Sequence, residues 1–398
     1  SPALQPQKPL SQSLSMPRPL VFGNGALLVN LDRDGNLRDL FWPRVGMHNH
    51  LIGYRIRFGV WTPCGFAWFD HPGWHRSLGM EDGTAVGYSV FVHHELDLRV
   101  EIREAVHPEQ PIYLRRFTIT TKSGEPVEAR LFSHHDLRIA ETDIGDCAYV
   151  RTEGVFHFKW DHWFRFTGRS EHGGPHQMTT AIKEFQGAVG CGGDCEDGWL
   201  HHVPINQGSV DSAMAVHGGT VDWWLIAGRG EQDLMAPVPS SGEEFLEEVR
   251  AANRIWTARA TPISLPEPIQ RLYERSLHLI QTQCDRGGAV LAANDTDILQ
   301  TNRATYSFCW PRDAALVVRV MDQAGYPEFA ERYFAYCAPI LKRDGIFQQK
   351  YDPAGHLGAG WHPRKLHGEA VPPIQLDESA LTLWALGEHH RDYPSNGT

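Results

Sequence analysis

Eight consecutive residues, Tyr306-Ser307-Phe308-Cys309-Trp310-Pro311-Arg312-Asp313, set large rings beside a guanidinium and a carboxylate just ahead of a helical pattern. Arg312 and Asp313 offer complementary donors and acceptors, and charge-assisted hydrogen bonds from such a pair hold a hydroxylated ligand firmly. Tyr306 and Trp310 offer flat faces against which the C–H groups of a sugar ring can stack. The same residues also have a structural explanation, in which Asp313 caps the following helix and Arg312 pairs with a surface carboxylate. Spacing alone leaves both readings open.

Two later stretches add polar residues and rings. In "QKYDPAGHLGAGWHP" the loop residues Lys350, Tyr351 and Trp361 are binding candidates, because loops that carry aromatics on a rigid scaffold commonly line sites. The alternative there is a turn pinned by a buried tryptophan. In "PIQLDESALTLWAL" Gln375 and Asp377 open a helix, where a carboxylate is favoured by unpaired backbone N–H groups whether or not a ligand is near. Cys191 and Cys195 bracket "CGGDC", with His201 and His202 close behind. The run is Gly-rich and lacks a second cysteine pair at zinc-finger spacing, so an ordinary loop is expected, with no metal and no cofactor. The histidine pairs 93–94, 134–135, 201–202 and 389–390 announce no chemistry, and those in strand patterns are expected at the surface or an interface.

The elements that must position these residues change period part-way along the chain. From Leu20 to about Ile263, short runs alternate apolar and polar residues and are cut by Gly, Pro, Asp and Ser. "GALLVNLDRDGNLRDLFW" reads as a hairpin turning at Asp34-Gly35. Many antiparallel strands without βα alternation predict a large β-sandwich. Near residue 240 the apolar spacing becomes three and four, in "SGEEFLEEVRAANRIWTARA" and "EPIQRLYERSLHLIQTQCD". Further helices are predicted over Asp313–Ala324, Pro327–Leu341 and Leu376–Arg391. The expected division is an arm over 1–19, a sandwich over 20–240, a helical linker over 241–285 and a helical unit over 286–398. The arm is polar and Pro/Ser/Gln-rich without a hydrophobic signal core, and reads as disordered or expression-derived.

Composition narrows the classes. With 37 Lys and Arg against 48 Asp and Glu, the net charge of −11 argues against non-specific nucleic-acid binding. No stretch approaches membrane-spanning length. Seven cysteines spread thinly through 398 residues do not form a disulfide scaffold and suit a reducing compartment, so cytoplasmic residence is expected.

The run "SLHLIQTQCDRGGAVLAANDTDILQTNRATYSFCWPRDAALVVRVMDQAGY", followed in order by "GIFQQKYDPAGHLGAGWHP" and "PPIQLDESALTLWAL", resembles glycoside hydrolase family 15, the glucoamylases, glucodextranases and trehalases. "FGNGALLVNLDRDGNLRDLFWP", "GYRIRFGVW" and "EDGWLHHVPINQGSVDSAMAVH" resemble the amino-terminal domain of its bacterial members. The resemblance implies an antiparallel β-supersandwich, a helical linker and the first third of an (α/α)6 barrel. It implies an exo-acting hydrolase that inverts at α-glucosidic bonds, with Tyr306, Trp310, Arg312 and Asp313 at the floor of the terminal-glucose pocket. Lys350, Tyr351, Trp361, Gln375 and Asp377 stand as further sugar contacts.

Inverting hydrolysis needs two carboxyl groups about 6.5–9.5 Å apart, one protonating the leaving oxygen and one activating water. In the family both are glutamates on later barrel loops. Glu378 is not taken as the acid, which the resemblance assigns to a later "LWEE"-type segment. No matching segment precedes Thr398, so the general acid and base are expected beyond it and no catalytic residue is expected in this chain. Thr398 then reads as a cut end, and a second polypeptide is expected to complete the barrel; self-association is a further option. The alternatives are a non-catalytic carbohydrate-binding relic and a related inverting phosphorylase.

Overall fold

A computed structural model describes residues 18–183, 190–294, 305–358, 364–371 and 374–394. Thr398, the residue beyond which the catalytic glutamates are expected, lies outside the described residues. The amino-terminal half is two nine-stranded antiparallel sheets packed face to face. The first sheet orders Leu20–Gly23, Leu28–Leu31, Leu37–Arg44, Ile56–Thr62, Arg130–Asp136, Val210–His217 and Gln177–Ile182. The second orders Ile205–Gly208, Asp146–Arg151, Gly154–Lys159, His162–Ser170, Thr220–Gly228, Ile112–Thr121, Leu98–Val106, Gly87–His93 and Trp74–Met80. Period-two alternation explains the layering: in Leu98–Val106, Leu98, Val100 and Ile102 are buried while Arg99, Glu101 and Arg103 are not. Between the sheets Phe58 meets Trp223 edge-on at 5.0 Å and Phe117 at 5.3 Å.

The expected hairpin forms between Leu28–Leu31 and Leu37–Arg44. Asp32 Oδ1 accepts from the main-chain N of Asp34 at 2.9 Å and of Asn36 at 3.0 Å, and Gly35 takes φ 77°. That left-handed geometry favours glycine.

Six α-helices are present among the described residues. Helix α1 is Glu231–Leu234 and α2 is Gly242–Thr257, whose Phe245, Leu246 and Val249 pack on Leu114, Trp224 and Ile226 of the second sheet. Ser241 caps α2 through Glu243 N at 3.2 Å. Helix α3 is Glu267–Thr282, α4 Pro311–Gln323, α5 Pro327–Asp344 and α6 Leu376–Asp392. Helices α3, α4 and α5 each carry proline in the first turn, where its missing N–H is harmless. A hairpin of three-residue strands, Arg364–Leu366 with Glu369–Val371, lies ahead of α6 and is absent from the sequence reading.

An apolar cluster distinct from the core between the sheets joins sandwich and helices. Leu28 and Phe41 of the first sheet, and Val45 in the turn after Leu37–Arg44, cluster with Leu277, Ala289, Leu291, Val318 and Tyr333. Polar ties reinforce it: the buried carboxylate of Asp285 accepts from Val45 N at 3.0 Å, Gly287 N at 2.7 Å and Arg44 Nη1 at 3.2 Å. Arg286 donates to the carbonyls of Asn24 and Glu109, and Asn30 Nδ2 to that of Asn294.

Two expectations need correction. His93, His134 and His135 are buried in the sandwich, not at the surface. His134 pairs with Asp211 at 2.8 Å, and His135 and His157 both bond Ser212 Oγ, so partners across the sheet make burial tolerable. Arg18, assigned to the arm, is anchored by a 2.6 Å ion pair to buried Asp39.

Candidate functional site

The site begins with a short main-chain ladder. Ala292 N donates to Phe308 O at 3.1 Å and Ala293 N to Tyr306 O at 3.3 Å. On the other side Cys309 and Tyr351 exchange both main-chain hydrogen bonds. Held from both flanks, the segment leads into α4, with Trp310 at the N-cap in extended geometry and Pro311 first in the helix. Tyr306 and Trp310 then stand 5.8 Å apart at 36°, and Phe308 meets Trp310 edge-on at 6.2 Å.

Tyr306, Trp310, Arg312 and Asp313 line one open recess of about 310 Å³, together with Ala292 and Gln349. That volume is at the lower end of small-ligand cavities, about 300–1,000 Å³. Its chemistry is two ring faces beside a cation and an anion. Arg312 is gathered by several acceptors: Asp313 Oδ2 at 3.1 Å, Asp377 Oδ2 at 3.2 Å and Gln375 Oε1 at 3.3 Å. Gln375 and Asp377 are thus brought to the recess through Arg312. Asp313 does not cap α4. The amide of Arg312 is instead taken by Glu378 of α6, whose Oε2 lies 2.5 Å away.

Lys350 lies behind the rings, 2% exposed, with Nζ 4.4 Å from the Phe308 centroid and 5.2 Å from that of Trp310. Burial lowers its pKa, and the cation–π contacts brace the rings from the core side. Tyr351 is not on the recess: it is fully buried, its hydroxyl accepts from Gln348 N at 2.7 Å, and burial raises its pKa to about 12. As a sugar contact it is corrected to a scaffold residue. Trp361 lies outside the described residues.

The "CGGDC" run enters a short 3₁₀ turn over Gly193–Asp197. Cys191 and Cys195 pack into a core with Trp68 and Phe132, and burial raises both thiols. His201 points to Asp194 at 2.6 Å and His202 to the carbonyl of Met178 at 2.9 Å. No cluster of three or more metal-ligating side chains occurs among the described residues.

Sequence reasoning missed Ala292, Gln349 and, above all, the structural reach of Glu378. Its only sequence signal is its place in an acidic first turn, "LDES", which does not say which helix it serves.

Comparison with solved structures matches 86% of this chain to 53% of a bacterial glucoamylase crystallised with acarbose, at a TM-score of 0.70 and 13% identity. The sheets and helices described above thus share the fold of that protein. A family 92 glycosyl hydrolase matches at a TM-score of only 0.39, with 11% identity over 84% of this chain and 56% of that one, and carries no argument. In sequence, 93% of the chain matches 59% of an uncharacterized glycosyl hydrolase of Methanocaldococcus jannaschii at 20% identity. No family model matches. The chain therefore spans somewhat over half the length of the proteins it resembles.

Proposed function

We propose that this chain builds the terminal-sugar pocket of an exo-acting glycoside hydrolase that releases glucose from α-glucosides with inversion. The observation that carries the reading is the convergence of Tyr306, Trp310, Arg312 and Asp313 on one recess. Ring faces take the apolar side of a pyranose, and the ion pair offers donors and acceptors to its hydroxyls. In this reading Gln375 and Asp377 orient Arg312, and Lys350 supports the rings. The fold likeness to a glucoamylase crystallised with acarbose favours the same choice.

The paired glutamates of the reaction would lie in the portion by which the matched proteins exceed this chain. Helices α4 and α6 leave Leu316, Val320, Leu383, Trp384 and Leu386 exposed, and such residues would pack against the remaining helices of an (α/α)6 barrel. No helix among the described residues is long and apolar enough to cross a membrane. All seven cysteines are free thiols, which suits the cytoplasm.

The test is the first-formed anomer of glucose, followed by NMR, when the protein carrying this chain acts on maltose, isomaltose, dextran or trehalose. β-Glucose is expected from the residue whose glycosidic bond is cleaved, read against the leaving sugar, which keeps its own anomeric configuration. Formation of α-glucose at the attacked anomeric centre, or turnover that requires inorganic phosphate, would overturn the proposal; maltose binding without turnover would leave a binding protein.

A further inference from the structure

Glu378 follows Asp377 in the first turn of α6, yet its side chain turns inward and is 0% exposed. Its Oε2 accepts the main-chain N–H of Arg312, the second residue of α4. Amides in the first turn of a helix have no intrahelical acceptor, and the positive end of the helix favours a carboxylate. Trp310, at the N-cap position, provides no side-chain bond. A carboxyl from a neighbouring helix therefore caps α4 at the residue that faces the recess. Its Oε1 has no hydrogen-bond partner among the described residues and lies 3.6 Å from Arg312 Nη1.

The groups that face this carboxyl are Arg312 and Asp313 of α4, Asp377 of its own helix and the buried thiol of Cys309. On the α5 side Tyr333 bonds Pro311 O and Thr382 Oγ1, and Thr382 bonds Glu378 O at 2.8 Å. Burial raises the carboxyl, the amide and guanidinium of Arg312 pull it back, and it settles at about 7. Glu378 does not line the recess.

We infer that Glu378 is a positioning residue for the recess: it fixes the first turn of α4 and, through it, the guanidinium of Arg312, so that the grip on a sugar follows the charge of a side chain the sugar never touches. Glu378 accepts the Arg312 amide in either charge state, and when ionised it also draws the guanidinium, 3.6 Å from Oε1, toward itself. Neutral, it leaves the guanidinium to Asp313 and Asp377. The inference rests on the reading of the recess as a sugar pocket.

Two measurements on the whole protein decide it. Maltose affinity, followed by tryptophan fluorescence between pH 5.5 and 8.5, is expected to change about tenfold around pH 7, the size of one charge-assisted hydrogen bond. In Glu378→Gln it is expected to be flat, with KM moving and kcat not. Hydrogen exchange of the peptide containing Trp310–Ala314 is expected to stay slow in Glu378→Gln, whose amide oxygen still accepts the Arg312 N–H, and to accelerate in Glu378→Ala. An unchanged midpoint in Glu378→Gln, or unchanged exchange in Glu378→Ala, would overturn the inference. If the wild type binds no maltose at any pH, the sugar reading fails; positioning then stands or falls on whether exchange accelerates in Glu378→Ala and stays slow in Glu378→Gln.

Discussion

Tyr351 and Cys309 exchange both main-chain hydrogen bonds, at 2.8 and 2.9 Å, and so join the loop after α5 to the segment that presents Trp310. Gly358 continues this junction, donating its N–H to Lys350 O at 2.9 Å. A Cβ at Gly358 would lie 2.9 Å from Lys350 Cγ and 3.0 Å from Phe308 Cδ1, behind the recess. Gly358→Ala is expected to displace the rings, weaken maltose binding several-fold and destabilise the fold by about 1–3 kcal/mol. Fluorescence titration and thermal melts would check both effects; unchanged binding would show that the rings do not depend on this junction.

Arg312 and Asp313 should separate binding from stability. Both side chains are partly solvent-exposed, so Asp313→Asn is expected to leave the thermal midpoint nearly unchanged. Loss of a charged hydrogen-bonding group should nevertheless lower sugar affinity by about 10- to 100-fold. Arg312→Lys is expected to lose affinity as well, because a lysine cannot present the planar fork that meets Asp313, Asp377 and Gln375 together. Isothermal titration with maltose provides the measurement.

Asp285 is the polar centre of the sandwich–helix junction. Asp285→Ala removes the acceptor for Val45 N, Gly287 N and Arg44 at once. Leaving buried amides unsatisfied should reduce stability by on the order of 3 kcal/mol. Asp285→Asn, which keeps one acceptor oxygen, should lose less, and urea midpoints of the two variants would show the order.

Acid should weaken the fold through its buried histidines. Burial lowers His157 to about 3 and His278 to about 4, and holds His50 and His135 well below the usual value. Unfolded, each takes a proton near pH 6.5. Between that pH and the lowered folded values the unfolded chain binds more protons, so stability falls as pH falls. Glu378 acts in the opposite sense: its folded carboxyl holds a proton up to about pH 7 and the unfolded one only to about 4.5, so its contribution is lost as pH rises through that window. Urea midpoints should drop steadily from pH 6.5 to 4, and a flat profile would show that the histidines do not stay neutral in the fold.

What is legible in the sequence is what is local. Alternation along Leu98–Val106, the Asp34-Gly35 turn and the prolines opening α4 and α5 each act within a few residues, and strands and helices appear where those signals stand. The cluster from Tyr306 to Asp313 is visible for the same reason, since its rings and charges are contiguous. Tyr351 misleads because a loop tyrosine looks alike whether it faces a cavity or a core. His134 and His135 mislead because Asp211 and Ser212, which permit their burial, lie 77 residues away. Glu378 has no local signal for its role, since its contact crosses between helices whose packing no short pattern reveals.

The apolar cluster that unites Leu28, Phe41 and Val45 with Leu277, Leu291 and Val318 has a practical consequence. The sandwich is not a detachable accessory: cutting it away would strip one wall from the helices that carry Arg312. Calorimetry should therefore record one cooperative endotherm across both halves, and attempts to transplant the helices onto a foreign amino-terminal partner would have to bring that wall along.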